Sequence, residues 1–321
     1  MKEFQLIRQI QRETAVSFSP DCDHGVRLGI GDDAAVLEIP TGQHLVAATD
    51  TLNAGVHFPV DTSAYDIAYK CLAVNLSDLA AMGATPRWAL LSLSLPQANA
   101  AWVQSFAAGF KSLAQAHGVS LVGGDTTSGP LSVSLTALGY IEPGKQLTRS
   151  GAKPADLIVV SGTLGGAARV LDLLAANKSA TEQHLLDRPQ PRVSLGQVLK
   201  GHANACIDVS DGLLADLGHI LKASCCGARL EVEDLPYDGS LAGLEDGLRW
   251  NYQLSGGDDY ELLFTFPAEH RALLATWSQQ LDIDLTVIGE IETDGGSRCL
   301  RKDGTVFEPQ SAGFEHFRQK S

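Results

Sequence analysis

The sequence predicts an α/β (α+β) protein of two domains. Three observations carry that expectation. The chain has 321 residues, about twice the length of a common domain. Stretches alternating with a period of two are interleaved with stretches of helical period along its whole length. A polar segment at 148–156, holding Gly151 and Pro154, interrupts that pattern near the middle. It divides the chain into 1–150 and 151–321.

Phe4, Ile7 and Ile10 recur at helical spacing, so a short amphipathic helix opens the chain, followed by a polar loop through Gly25. Residues 34–39 and 45–51 read as strands joined by Pro40-Thr41-Gly42. Ser63 suits the N-cap of a long helix ending near Gly83. Tyr65, Ala68, Leu72, Leu76 and Leu79 form its buried stripe, with Asn75, Asp78 and Met82 on a neighbouring face. Residues 88–95 predict a strand, 100–117 a helix, and 119–122 a strand running into Gly123-Gly124-Asp125. A further strand spans 131–141. Beyond the boundary, strands are expected at 157–161, 205–209 and 260–266, and helices at 165–176 and 213–223. Pro189 and Pro191 mark a loop. The last part mixes a helix at 268–280 with strands at 285–291 and 299–300.

Composition excludes several function classes. Lys and Arg total 24 against 38 Asp and Glu, a net charge of -14 that opposes nucleic-acid binding. Small phosphorylated ligands stay open, because metal ions reverse the local field. The six cysteines include no C-x-x-C pair, which argues against a zinc site or disulfide framework and for reduced thiols in a cytoplasmic protein. No apolar run approaches the ~18 residues of a membrane span, and the N-terminus lacks the apolar core of a signal peptide.

The chemistry-bearing feature is a recurrence of acids beside glycines and hydroxyls: Asp32-Asp33, Asp50, Asp78, Asp125, Asp208 with Asp211, and Asp258-Asp259. Converging carboxylates need a cation, and Mg2+, a hard ion, takes oxygen ligands from a few carboxylates and from substrate phosphates. Each motif alone has a bland explanation. Asp50 could close an Asx-turn at a strand end, and Ser210 or Asp211 could cap a helix. Such a cap leaves Asp208 unexplained. Gly29-Ile-Gly31-Asp-Asp-Ala34 fits a dinucleotide fingerprint with Asp50 downstream, but a strand rather than a helix is expected to follow, and two acids would repel pyrophosphate. There is no Walker A loop, since Pro130 stands where its lysine belongs. Arg149 could grip phosphate oxygens, whereas Lys153 reads as a solvated linker residue. The sequence thus points to a magnesium-dependent enzyme of phosphorylated substrates.

The motifs together resemble the bacterial thiamine-monophosphate kinase family. They are Gly-Ile-Gly-Asp-Asp-Ala (29–34), Thr-Asp-Thr-Leu (49–52), Gly-Val-His-Phe (55–58), Asn-Leu-Ser-Asp-Leu-Ala-Ala-Met-Gly-Ala (75–84), Gly-Gly-Asp-Thr-Thr (123–127), Leu-Thr-Arg-Ser-Gly-Ala-Lys-Pro (147–154), Asp-Val-Ser-Asp-Gly-Leu (208–213) and Leu-Ser-Gly-Gly-Asp-Asp-Tyr-Glu-Leu (254–262). The resemblance implies a two-domain synthetase-like fold, a homodimer made through the N-terminal domains, several Mg2+ ions, ATP as co-substrate and thiamine monophosphate as acceptor. It implies metal ligation by Asp33, Thr49, Asp50, Asp78, Asp125, Asp208 and Asp211. Asp50 and Asp125 would anchor metal at the transferring phosphoryl group. It implies ATP contacts at Gly124, Asp125, Arg149 and Ser210, and thiamine-phosphate contacts at His57, Asp258 and Phe314. Two positions depart from the family pattern: Ala48 replaces a serine and Asp258 a glutamate. The relatives with a reactive cysteine fit less well. Cys22 lacks the lysine that accompanies such a residue in selenophosphate synthetase, and the chain ends Arg-Gln-Lys-Ser rather than in the cysteine of the hydrogenase-maturation relative.

Overall fold

The computed structural model describes residues 3–15, 24–311 and 313–314, so Cys22 lies outside the described residues. The chain divides into two compact units, one of residues 1–79 with 84–146 and one of 80–83 with 147–321.

The first unit is a four-stranded sheet covered by helices. Its elements are α1 (Glu3–Thr14), β1 (Val26–Leu28), β2 (Val36–Leu37), β3 (His44–Asn53), α2 (Ala64–Ala81), β4 (Thr85–Leu95), α3 (Ala100–His117), β5 (Ser120–Ser128) and β6 (Ser132–Ile141). The sheet order is β3-β6-β4-β5, with only β4 and β5 parallel. The parallel pair needs a crossover, and α3 supplies it. Asn99 starts α3 by accepting from the backbone amides of Ala101 (2.9 Å) and Trp102 (3.2 Å), and Gly118 ends it at φ 65°. Ser63 caps α2 as expected, accepting from the Asp66 amide. Burial of α2 is wider than one stripe: Lys70, Asn75 and Ser77 are as inaccessible as Ala68, Leu72, Leu76 and Leu79. A helix apolar on nearly every side belongs in a core, and α2 has that character. The expected strand at 34–39 shrinks to Val36–Leu37, paired with β1, and no helix follows the Gly29-Ile-Gly31 loop.

The second unit is a six-stranded mixed sheet. It comprises β7 (Asp156–Ser161), α4 (Gly166–Ala175), α5 (His184–Asp187), α6 (Val193–Leu199), β8 (Ala205–Asp208), α7 (Leu213–Ser224), β9 (Gly227–Glu231), α8 (Asp246–Ser255), β10 (Leu262–Pro267), α9 (Ala272–Leu281), β11 (Leu285–Glu292) and β12 (Gly296–Leu300), with three short 3-10 turns. The order is β12-β9-β11-β7-β10-β8, antiparallel except for β12 with β9. Strand β7 is buried along its whole length, as a central strand should be. Ile158, Val160, Leu213, Leu217, Ile220, Leu254 and Leu263 share one core. Among the described residues no helix is long and apolar enough to cross a membrane, and Cys71, Cys206, Cys225, Cys226 and Cys299 are free thiols.

Candidate active site

Strand register fixes the acids of the first unit. Asp50 pairs with Leu135, Leu135 with Leu91, and Leu91 with Gly124. Neighbours in register share a face, so Asp50 lies on the side where Leu52, Leu91, Val133 and Leu135 are buried. Its charge reaches Cys71 of α2, whose thiol is pushed far up by burial first and by Asp50 second. Burial alone holds the Asp50 carboxyl above the usual range. No hydrogen bond or ion pair to Asp50 occurs among the described residues.

Asp125 lies on the far edge strand of the sheet. It is in register with Ser92, Ser92 with Ser134, and Ser134 with Thr51. The Thr51 and Ser134 hydroxyls meet at 2.7 Å along that row. Strands β3 and β5 are opposite edges of the sheet, so three interstrand spacings separate Asp50 from Asp125, about 14 Å. Oxygens sharing one Mg2+ lie within about 4 Å of each other. Within one chain these two acids cannot hold the same ion.

Close strand packing requires the glycine at 124. A Cβ on Gly124, at φ 142°, would sit 1.8 Å from the Leu91 carbonyl oxygen. Strand β5 runs straight through this motif to Ser128, with a bulge opposite Ala89 and Leu90. The remaining candidates of this unit are dispersed around the same sheet. Asp33 is exposed beside Asp32, whose carboxylate accepts from the Asp33 amide. The Thr49 hydroxyl donates to the Leu135 carbonyl (3.0 Å). Asp78 is half-buried on α2. His57 Nδ1 accepts from the Asn53 amide (3.0 Å), which leaves Nε2 as the protonated nitrogen. Beside it the buried Lys70 donates to the His57 carbonyl (3.1 Å); no sequence signal marked this lysine.

In the second unit the candidates do meet. The loop after β8 carries Asp208, Ser210 and Asp211. Its carbonyls accept from the strand-entry loop and the C-terminal segment: Ser210 from the Asp258 amide (2.9 Å), Val209 from the Tyr260 amide (2.8 Å), and Asp211 from the Phe314 amide (2.9 Å). Gly257 permits the approach, since a Cβ there would lie 2.5 Å from the Ser210 oxygen. The Tyr260 hydroxyl donates to Asp258 Oδ1 (3.1 Å). Phe314 keeps its side chain exposed. Asp216, which sequence reasoning passed over, completes the loop from the inside. Its Oδ2 accepts from the amides of Ser210 (3.0 Å), Asp211 (3.1 Å) and Gly212 (3.2 Å). Desolvation, then the charges of Asp208 and Asp211, push its carboxyl up to about 7.

Two further acids shape this neighbourhood. Asp259 accepts from the Gly165 amide (2.8 Å) and so caps α4, whose own N-cap residue offers no side chain. Burial drives its carboxyl well up. Glu261 is held by the Ser161 hydroxyl and by Arg192, whose Nε donates at 2.6 Å. Asp259, Glu261 and Arg192 line, with His184 and Arg188, a recess of about 190 Å³. Arg149 is exposed, and its guanidinium has no partner among the described residues.

Comparison with known proteins identifies the family. The domain models "AIR synthase related protein, N-terminal domain" and "AIR synthase related protein, C-terminal domain" match residues 31–141 and 153–301. The thiamine-monophosphate kinase of Escherichia coli (strain K12) is 47% identical over 304 residues, 91% of this chain and 92% of that protein. The chain belongs to the thiamine-monophosphate kinase family. The crystal structure of the family member from Stenotrophomonas maltophilia K279a superposes with a TM-score of 0.85 at 46% identity, covering 96% of this chain and 98% of that one. A second solved member of the family, AaThiL complexed with AMPPCP and TMP, gives a TM-score of 0.75 at 33% identity over 90% and 92%. The two-domain synthetase-like fold expected from the sequence is the fold observed.

The donor chemistry fits Mg2+. Every candidate ligand is a carboxylate or hydroxyl oxygen, and Asp50 is a half-buried carboxylate with no protein cation beside it. Among the described residues no three His, Cys, Asp or Glu side chains form a preassembled metal group. Mg2+ usually takes one or two carboxylates plus substrate phosphates rather than an all-protein cage.

Proposed function

We propose that this protein transfers the γ-phosphoryl group of ATP directly to thiamine monophosphate, giving thiamine diphosphate and ADP, as a cytoplasmic homodimer. The observation that carries the reading is similarity over about nine-tenths of the chain to thiamine-monophosphate kinases, one of them solved with AMPPCP and TMP. The acceptor is a phosphate oxygen with a second pKa near 6, so it is mostly deprotonated at neutral pH and asks for no strong base. That agrees with a site built from acids and lacking, among the described residues, a nucleophile–base pair. The barrier is repulsion between two polyanions. Arg149, exposed and unpaired among the described residues, donates to phosphate oxygens of the nucleotide with Ser210 and the Gly124 backbone. His57, Asp258 and Phe314 orient thiamine monophosphate. Asp33, Thr49, Asp50, Asp78, Asp125, Asp208 and Asp211 would hold Mg2+. When bound, Mg2+ supplies charge neutralisation and in-line alignment of the phosphates.

The homodimer gives the Asp50–Asp125 separation a meaning. In a two-fold assembly the edge strand β5 of one copy lies beside the edge strand β3 of the other, and Asp125 serves the partner's Asp50. Each site then needs both copies.

The deciding experiment is an ADP-release assay with Mg2+ and thiamine monophosphate, with unphosphorylated thiamine and aminoimidazole precursors as controls. Release with thiamine monophosphate alone, accompanied by thiamine diphosphate, is the expected result. Release with another acceptor, or none, overturns the reading.

A further inference from the structure

Asp216 holds the centre of the second unit's site without belonging to the acids that resemble metal ligands. It sits in the first turn of α7 with only 3% of its surface exposed. Leu213 and Ile220, three residues before it and four after, are fully buried on the same helix face. A carboxylate in that stripe needs a reason, because burying one without partners is costly. The partners are three consecutive backbone amides, those of Ser210, Asp211 and Gly212, all donating to one oxygen. No side-chain cap comes from the N-cap residue itself, Gly212, at φ 124°.

The loop is therefore gripped from both sides. Its amides point inward to Asp216. Its carbonyls at 209, 210 and 211 point outward to the amides of Tyr260, Asp258 and Phe314. We propose that Asp216 is the positioning residue of this site. By fixing the peptide planes of 210–212, its acceptor oxygen sets both the aim of Asp208 and Asp211 and the placement of Asp258 and Phe314. This rests on the function proposed above, which gives those four residues ligand roles. Second-sphere groups of this kind typically change metal affinity by about 10–100-fold when removed.

Two variants separate geometry from charge. Asp216→Asn keeps an acceptor oxygen at nearly the same volume, whereas Asp216→Ala removes it. Expected for Asp216→Ala is a rise of about tenfold or more in the Mg2+ concentration giving half-maximal ADP release, together with a raised KM for thiamine monophosphate. Asp216→Asn should restore both toward wild type. A purely structural role predicts lower thermal stability with both constants unchanged, and that result overturns the proposal. So does an Asn variant as impaired as the Ala variant. A third measurement needs neither activity nor a folded Ala variant. In the wild-type protein, hydrogen exchange at the amides of Ser210, Asp211 and Gly212 should be strongly slowed. Exchange at open-loop rates would refute the grip itself. If wild type releases no ADP while those amides are protected, it is the proposed function that fails, and not the positioning.

Discussion

A heterodimer carrying Asp50→Asn in one protomer and Asp125→Asn in the other should keep about half of the wild-type turnover, and each parent homodimer should be inactive. The magnitude follows from the sheet. Strands β3 and β5 are opposite edges, which puts Asp50 and Asp125 about 14 Å apart across the sheet, against the roughly 4 Å that a shared Mg2+ allows. If each site takes Asp50 from one copy and Asp125 from the other, the heterodimer gathers both substitutions into one dead site. The second site is intact, so one site in two works. If each site were built within one chain, both would carry one substitution and turnover would stay near zero. Co-expression with two different affinity tags, sequential purification and the ADP-release assay give the answer. Activity of the purified heterodimer no higher than that of the parents, with dimers verified by sedimentation, would refute the argument.

Other outcomes test other parts of the structure. Arg192→Met leaves the Glu261 carboxylate buried without its guanidinium and should cost about 3–5 kcal/mol in calorimetry; Arg192→Met/Glu261→Met should recover most of it. Arg149→Met should raise the KM for ATP about tenfold or more while leaving the melting temperature unchanged, since the side chain is exposed and unpaired among the described residues. Asp216 titrates near 7 in the folded protein and near 3.9 unfolded, so the native state binds the extra proton in that window, and stability falls as pH rises through it. In metal-free buffer the wild type should lose about 1.4 kcal/mol more than Asp216→Asn between pH 6 and pH 8, read from paired denaturant titrations.

Local grammar made much of the fold readable. Helix α3 falls on the expected 100–117, because Asn99 and Gly118 supply its two ends. Strands β4, β6 and β7 begin within three residues of their expected starts, since their alternation or apolar runs are unbroken. The region 224–256 stayed blank. Strand β9 is only Gly-Ala-Arg-Leu-Glu, too short and too mixed to show a period, and its place comes from pairing with β11 and β12. Helix α8 begins at Glu245, whose carboxylate accepts from the Leu248 amide, a cap formed by a residue less typical of that position. At the site, the acids themselves were legible as motifs, but their places across the sheet were not. Only register separates Asp50 from Asp125. The close approach of Gly124 to the Leu91 carbonyl also shows only in the folded sheet. Asp216 could have been found: it is a carboxylate on an otherwise apolar helix stripe, three residues after Leu213 and four before Ile220.

Asp258 and Tyr260 both take left-handed backbone angles, φ 69° and φ 52°, which side-chain-bearing residues adopt at a cost of roughly 1–2 kcal/mol. Glycine would relax that tension at 258. The protein is thus less heat-resistant than its own topology permits, at a point where an acid is proposed to meet thiamine. A library selected for endurance alone should drift toward Asp258→Gly and shed catalysis as it hardens. One screened for turnover as well should hold the aspartate and gain its robustness elsewhere.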